Sequence, residues 1–470
     1  MIMALVAMLA FGSLPATADN DDSCDIAVAP AATLLLPVFD VRIPGGPEPS
    51  TGDTTLFTIT NVTPSPQIAH VTIWTDWSYP VLTFNVFLTG YDVQSIDLYD
   101  MLVRGEVAVS GAPRISNSNP NISDQSVLPG GSCSGATVPG TIANELLAAV
   151  QTALMFGLYN IAGTTIGCGT TRIGGTHVNA RGFVTVDVVT DCTNLLPNNP
   201  IYYNTQILFD NALIGDYQQI RSDPTIGNLA QGNPMVHIRA IPEGGPAGYV
   251  PQPGTTNLPY TFYDHYTPAG NRKMDRRVPL PSTFVARWIE AGANTFNTSY
   301  KIWREGVAVG AQTQSCSGVR LNSGTPVPQV IRFDQSENSF SMVGSIFVPG
   351  VPIGPPRLPS ALVISTSNTS IFPPHGTSPD VAGWIYLDMN NATSTASRPS
   401  QNWVIVSMSA QGRYSADFDA AQLGNGCSAA TQVPSPEIGP AGGTFLCPPG
   451  IVCSPPSAKD HPYNGTNITP

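Results

Sequence analysis

The stretch from Thr54 to Ser78, TTLFTITNVTPSPQIAHVTIWTDWS, constrains the fold more than any other part of the chain. Successive side chains of an extended backbone point to opposite faces, so Thr55, Phe57 and Ile59 share one side while Thr58 and Thr60 share the other. Val71 and Ile73 alternate in the same way against His70, Thr72 and Trp74. Between the runs, Thr63-Pro64-Ser65-Pro66 cannot continue a ladder and reads as a connection. Two strands with a Pro-rich corner are hard to reconcile with a helical protein.

The same texture recurs at 81–98 (broken at Thr89-Gly90), 181–189, 235–241, 282–289, 300–303, 330–333, 361–365, 382–389 and 402–408. β-branched and aromatic residues fill these runs. One segment departs from it. Thr141 to Phe156 carries apolar residues at 142, 146, 147, 150 and 154, a helical spacing, with Thr141 placed to cap it and Gly157 just beyond its end. The expected fold is therefore all-β: two β-sandwich lobes of immunoglobulin-like or jelly-roll type, with one amphipathic helix over 141–156 inserted in the first. The Pro- and Gly-rich run 242–259 marks the boundary, giving lobes over 19–245 and 246–427 and a Pro/Gly-rich tail over 428–470.

Charged residues make up 11% of the 470, less than half the usual share, so Thr, Ser, Asn and Gln must keep the surface wet. The net charge is −12 and there are only three lysines, Lys273, Lys301 and Lys459. Such a chain repels phosphate backbones, which argues against nucleic acid as a partner. Residues 1–18, MIMALVAMLAFGSLPATA, are apolar and end in a small-x-small pattern, so they read as a secretory signal peptide cleaved after Ala18. No basic residue precedes Arg42, so the usual positive flank is missing. No later run is long and apolar enough to span a bilayer. The expected compartment is periplasmic or extracellular, without a transmembrane anchor.

All eight cysteines (Cys24, Cys133, Cys168, Cys192, Cys316, Cys427, Cys447 and Cys453) follow that cleavage point. An even count in an exported chain favours disulfides. No C-x-x-C pair occurs, which counts against zinc ribbons and thioredoxin-like chemistry. By spacing, Cys447 and Cys453 could close a short local loop and Cys168 could pair with Cys192, but eight cysteines allow about 105 pairings and spacing does not choose among them.

The segments TLFTITN, VTIWTDWS followed by FNVFLTGYDVQSIDL, ARGFVTVDVV-DC, VHIRAIPEG, DRRVPLPSTFVARW, YKIWREG and GWIYLDM run from roughly Ala32 to Cys427. Together they resemble an uncharacterised group of secreted bacterial β-rich proteins. The resemblance implies an exported bacterial protein and transfers no activity.

Candidate sites are few. Gly131-Ser132-Cys133-Ser134-Gly135 has the form of a nucleophile elbow, but it lacks a strand before it and the helix lies six residues too far on, so a disulfide cysteine fits better. Tyr263 to Arg277 is the densest polar stretch. Asp264 could orient His265 as a general base there, and Arg276 and Arg277 could grip a carboxylate or sulfate. Adjacent strand residues face apart, so ion pairs in a solvated connection compete with that reading. Asp92, Asp97, Asp100, Asp187 and Asp191 are candidate oxygen ligands for a structural calcium, without a calcium-loop motif to support them. No cofactor is expected. The histidines show no metal-binding spacing. Trp74, Asp76 and Trp77 sit at a strand end, where aromatic rings beside carboxylates can stack on sugars, or where Trp can fill a corner between sheets.

These residues lead to an exported, non-enzymatic cell-envelope or extracellular protein that binds or assembles through its surface, with envelope glycans or other surface proteins as partners. The alternatives are a secreted hydrolase of glycan or ester substrates and a carbohydrate-binding module using surface Trp. Peptide mapping of the exported protein, with alkylation before reduction, is expected to give Asp19 as the first residue and no alkylated cysteine. Fast alkylation of Cys133 would instead restore the nucleophile.

Overall fold

All nine residues of β1 (Thr33–Val41, TLLLPVFDV) are buried, so this strand has no solvent face and needs a layer on each side. That explains its sequence: a strand covered on both faces shows a continuous apolar run rather than alternation. Pro37 falls between Leu36 and Phe39, where the ladder to the next strand shifts register, a place where the missing N–H costs no hydrogen bond. The computed structural model describes residues 29–44, 53–107, 140–197, 201–223, 227–240, 277, 280–290, 296–304, 316, 325–326, 329–341, 347–348, 351–352, 357–366, 372–373, 380–389, 401–410 and 414–422. Structural statements here concern those residues. The leader, the 242–259 run and the tail lie outside them.

The first half continues with β2 (Thr54–Asn61), β3 (Gln67–Thr75), β4 (Pro80–Leu88), β5 (Val93–Asp97), β6 (Ala180–Val189), β7 (Leu213–Asp223), β8 (Gly227–Pro234) and β9 (Val236–Ile238). They form two antiparallel sheets, β4-β3-β6-β1-β9 and β5-β2-β7-β8. The second half adds β10 (Thr283–Ile289), β11 (Phe296–Arg304), β12 (Thr325–Pro326), β13 (Gln329–Asp334), β14 (Ser339–Ser341), β15 (Phe347–Val348), β16 (Val351–Pro352), β17 (Arg357–Leu358), β18 (Ala361–Ser365), β19 (Ala382–Asp388), β20 (Asn402–Ala410), β21 (Tyr414–Asp419) and β22 (Ala421–Gln422). Its two larger sheets are β14-β13-β19-β10-β22 and β18-β11-β20-β21, beside the small ladders β12-β17 and β15-β16. The protein is all-β, and its ladders are antiparallel. No helix among the described residues is long and apolar enough to cross a membrane.

Leu34, Val71, Ile73, Val184 and Val186 line one face of the β1 sheet, and that face meets the β2 sheet. A Cβ added to Gly215 of β7 would lie 2.9 Å from Leu34 Cδ1, so the layers nearly touch there. The opposite face, with His70, Thr72, Trp74, Phe183, Thr185 and Asp187, is also fully buried. Tyr202 covers its far end, with its ring 4.8 Å from that of His70. Trp303 of β11 covers the near end, edge-on to Phe183 at 5.9 Å. The main core therefore runs across the chain's midpoint and takes in Trp303, Ala361, Trp403 and Ile405. A second core fills the space between the other face of the β11 sheet and the β10 sheet, around Tyr300, Ile302, Val404, Phe284 and Leu387.

The helix α1 spans Asn144–Phe156 and packs Leu147, Val150 and Leu154 inward, as its spacing predicts. Its start differs from expectation. Ala143 is the N-cap and makes no side-chain cap, while Thr141 is taken up two residues earlier in a bridge to Glu106. Gly157 ends the helix at φ 65°, and a Cβ there would lie 1.9 Å from the Gly174 oxygen, so the position needs glycine on both counts.

His237 of β9 ties the two first-half sheets together: its Nε2 accepts the Gly215 N–H at 3.1 Å, a role open only to the unprotonated nitrogen. Burial lowers its pKa to about 4, against the milder raising effect of a backbone hydrogen bond at Met235. Burial lowers His70 as well. A depressed folded pKa means the unfolded state binds the proton first, so stability is full above pH 6.5 and falls as pH drops toward 4. For His237 the loss approaches about 3 kcal/mol. Urea midpoints taken from pH 7 to pH 4.5 should fall, and His237→Gln should flatten part of that slope; an unchanged slope would remove His237 from the account.

Candidate functional site

The corner at the end of β3 is a knot in the core. Trp74 is fully buried, stacked on Phe183 at 5.4 Å, and its Nε1 donates to Thr185 Oγ1 at 2.8 Å. Its ring is therefore closed to a ligand, which corrects its candidacy as a sugar-stacking residue: the face opposite Val71 lies under a second layer. Asp76 is buried too. Its carboxylate accepts the Gly175 N–H at 2.9 Å and meets His177 Nε2 at 2.9 Å, while its backbone oxygen accepts the N–H groups of Ser360 at 2.7 Å and Ala361 at 3.2 Å. One residue thus holds a loop of the first half and a strand start of the second. Trp77 beside it is half-buried against the core. Sequence reasoning missed His177, since nothing local links it to a partner 101 residues away.

Arg277 is likewise spent on structure. It is buried, with its guanidinium 3.8 Å from Asp187, so the second half of the expected anion clamp faces inward. Asp187 also accepts from Thr33 Oγ1 and Tyr202 OH, each at 2.6 Å. Asp264, His265 and Arg276 lie outside the described residues. The calcium candidates each have protein partners. Asp92 accepts from Thr89 and Val93 N–H, Asp97 from Thr54 and Tyr99, Asp100 from Arg104 and Asp191 from Thr190. These are the bonds expected of strand-end and turn aspartates.

Cys168 bonds to Cys316, 148 residues away, rather than to Cys192. Nearness in sequence misled the expectation because Cys316 itself lies against the first half, its sulfur 3.8 Å from Tyr79 OH. In a chain-entropy account, closing a loop of that length contributes about 5 kcal/mol. Cys192 is also disulfide-bonded. The remaining five cysteines lie outside the described residues.

The surviving candidate is the outer face of the β10 sheet. Four of the six tryptophans (74, 288, 303, 403) are buried, whereas Trp384 of β19 is only half-buried. Register places Arg287 of β10, Trp384 of β19 and Phe333 of β13 in one row, and Val285, Tyr386 and Ile331 in the next. The Trp384 and Phe333 rings stack at 3.7 Å. Arg287 is exposed, and the other five are half-buried. Asp388 ends the strip on the same face, and its charge adds to burial in raising the Tyr386 hydroxyl to about 12. Tyr386 is therefore a neutral donor at any physiological pH. The arrangement offers a ridge of aromatic rings on one sheet face, with a guanidinium at one end and a carboxylate at the other. The GWIYLDM alternation was legible; which of its faces would stay open was not.

Replacing Asp76 by Ala should lower the unfolding free energy by about 2–4 kcal/mol, since it strands a backbone N–H and an imidazole in a buried corner. Chemical denaturation reads this directly, and a loss under 0.5 kcal/mol, about the level of an ordinary surface change, would show the corner does not depend on it. Set beside models of protein families, curated proteins and solved structures, the chain matches none, and its function is read from its own geometry.

Proposed function

We propose that this chain is an exported, non-catalytic binding protein of the cell envelope or extracellular space, and that it holds a glycan on the outer face of the β10 sheet. The observation that carries the reading is the Trp384–Phe333 stack, continued by Tyr386 on a half-exposed sheet face. Aromatic rings attract the apolar C–H faces of sugars, and the flanking Arg287 and Asp388 can pair with vicinal hydroxyls. A sheet face also spaces its rows at about 7 Å, a pitch on which an extended chain of sugar rings can lie. The Thr- and Asn-rich, charge-poor composition supports an extracellular setting, as do the signal-like leader and the disulfide between Cys168 and Cys316.

Arg277, Asp187 and Asp76, the anion, calcium and sugar candidates of the sequence, are committed to buried structural contacts, and this supports a binding face on the β10 sheet instead. Isothermal titration against envelope polysaccharides tests it. Trp384→Ala and Tyr386→Ala should each weaken binding at least tenfold while leaving the unfolding midpoint nearly unchanged. Heat that persists unaltered in both variants would move the site elsewhere, and no heat with any glycan would sink the glycan reading.

A further inference from the structure

Lysine is scarce in this chain, and Lys301 is the only one among the described residues. It is not on the surface: its side chain is 1% exposed. On β11 it shares a face with Trp303, directed at the first half of the chain, rather than with Tyr300 and Ile302 of the second core. Register sets Ile405 of β20 beside Lys301 and Asp419 of β21 beside Ile405, so Lys301 and Asp419 lie in one row across three strands. Asp417, two residues earlier on β21, falls on the same face, opposite Ser407.

Lys301 Nζ contacts Asp417 Oδ2, and its other neighbour is Gln231 Oε1 of β8 at 3.4 Å. The Asp417 side chain is 0% exposed, and its Oδ1 has no hydrogen-bond partner among the described residues. A buried ammonium and carboxylate normally gather further hydrogen bonds to offset lost hydration, and this pair is short of them on both sides. Asp419 completes the cluster. Its Oδ1 accepts from Asn233 Nδ2 at 3.0 Å and from Trp403 Nε1 at 3.2 Å.

We propose that Lys301 and Asp417 are joined by an amide bond between Nζ and Cγ, formed once the fold brings them together, with Asp419 carrying the proton. The unprotonated amine adds its lone pair to Cγ of the protonated Asp417 carboxyl, making the C–N bond. The amine gives up a proton through Asp419 to one carboxyl oxygen, which then leaves as water with the C–O bonding pair. The balance is one ammonium plus one carboxylate giving one secondary amide and one water, and no other reactant is needed. Lost hydration acts on the amine and on the proton carrier. It lowers the Lys301 pKa, the Asp417 charge acting the other way, and so favours the free amine. It raises the Asp419 carboxyl against the two hydrogen bonds that stabilise its anion, which suits a group that must take up and release a proton. Holding amine and carboxyl in contact supplies the proximity that an amide-forming reaction lacks in water. The product removes both buried charges at once.

Mass spectrometry of the full chain, with all disulfides reduced and alkylated, tests the assignment. The wild-type protein should be lighter by one water, about 18 Da, than its sequence and alkylated thiols require. Trypsin should leave Lys301 uncut and return one branched peptide containing both 301 and 417. Lys301→Arg and Asp417→Ala should restore the full mass. Asp419→Asn keeps both reacting groups and should lose the deficit or form it far more slowly. A wild-type chain at full sequence mass, cleaved by trypsin after Lys301, would overturn the bond. A complete deficit in Asp419→Asn, formed as fast as in wild type, would overturn the part given to Asp419.

Discussion

β1 is the constraint on which the rest depends. A strand buried along all nine residues must be covered twice, and two coverings require more chain than a single pair of sheets supplies. The β2 sheet covers one face through Leu34 and its neighbours. The other face is covered by Tyr202, from the first half, and by Trp303, from the second. The main core therefore draws on both halves of the described chain, and the second half's own core sits behind the β11 sheet as an outer layer.

Covering a sheet on both faces buries the polar side chains that alternation places there, and each must find a partner. The solutions are specific: His70 with Asn85 and Thr83, Asp187 with Thr33, Tyr202 and Arg277, Trp74 with Thr185. Each lost bond would strand a group in a dry interior, which is costlier than the bond's net contribution. Buried polar networks of this kind specify one arrangement of layers more sharply than apolar contacts can, since a slipped register would unpair several groups together.

Much of the secondary structure was legible in the sequence. The runs at 181–189, 282–289 and 382–389 match β6, β10 and β19 within a residue or so, and the Thr89-Gly90 break separates β4 from β5. β1 was missed because double burial erases alternation and Pro37 interrupts the run; β7, β8 and β21 were missed because their polar and Gly-containing stretches resemble loops. The site was less legible. Trp74 and Trp384 both stand in alternating strands beside Asp or Thr, and only the stacking of distant sheets decides that one ring is sealed and the other open. His177 and Lys301 failed for the same reason: their partners lie 101 and 116 residues away.

The Cys168–Cys316 link and the seam it fastens also impose an order of events. A chain made from its N-terminus presents Cys168, Phe183 and the Asp76 carbonyl long before Cys316, Trp303 and Ser360 exist to meet them. For the time it takes to synthesise roughly a third of the molecule, the Phe183 end of one face of the central sheet stays bare and one thiol stays single. Such a chain invites escort by a chaperone that shields the bare face and by an oxidant that acts late rather than early.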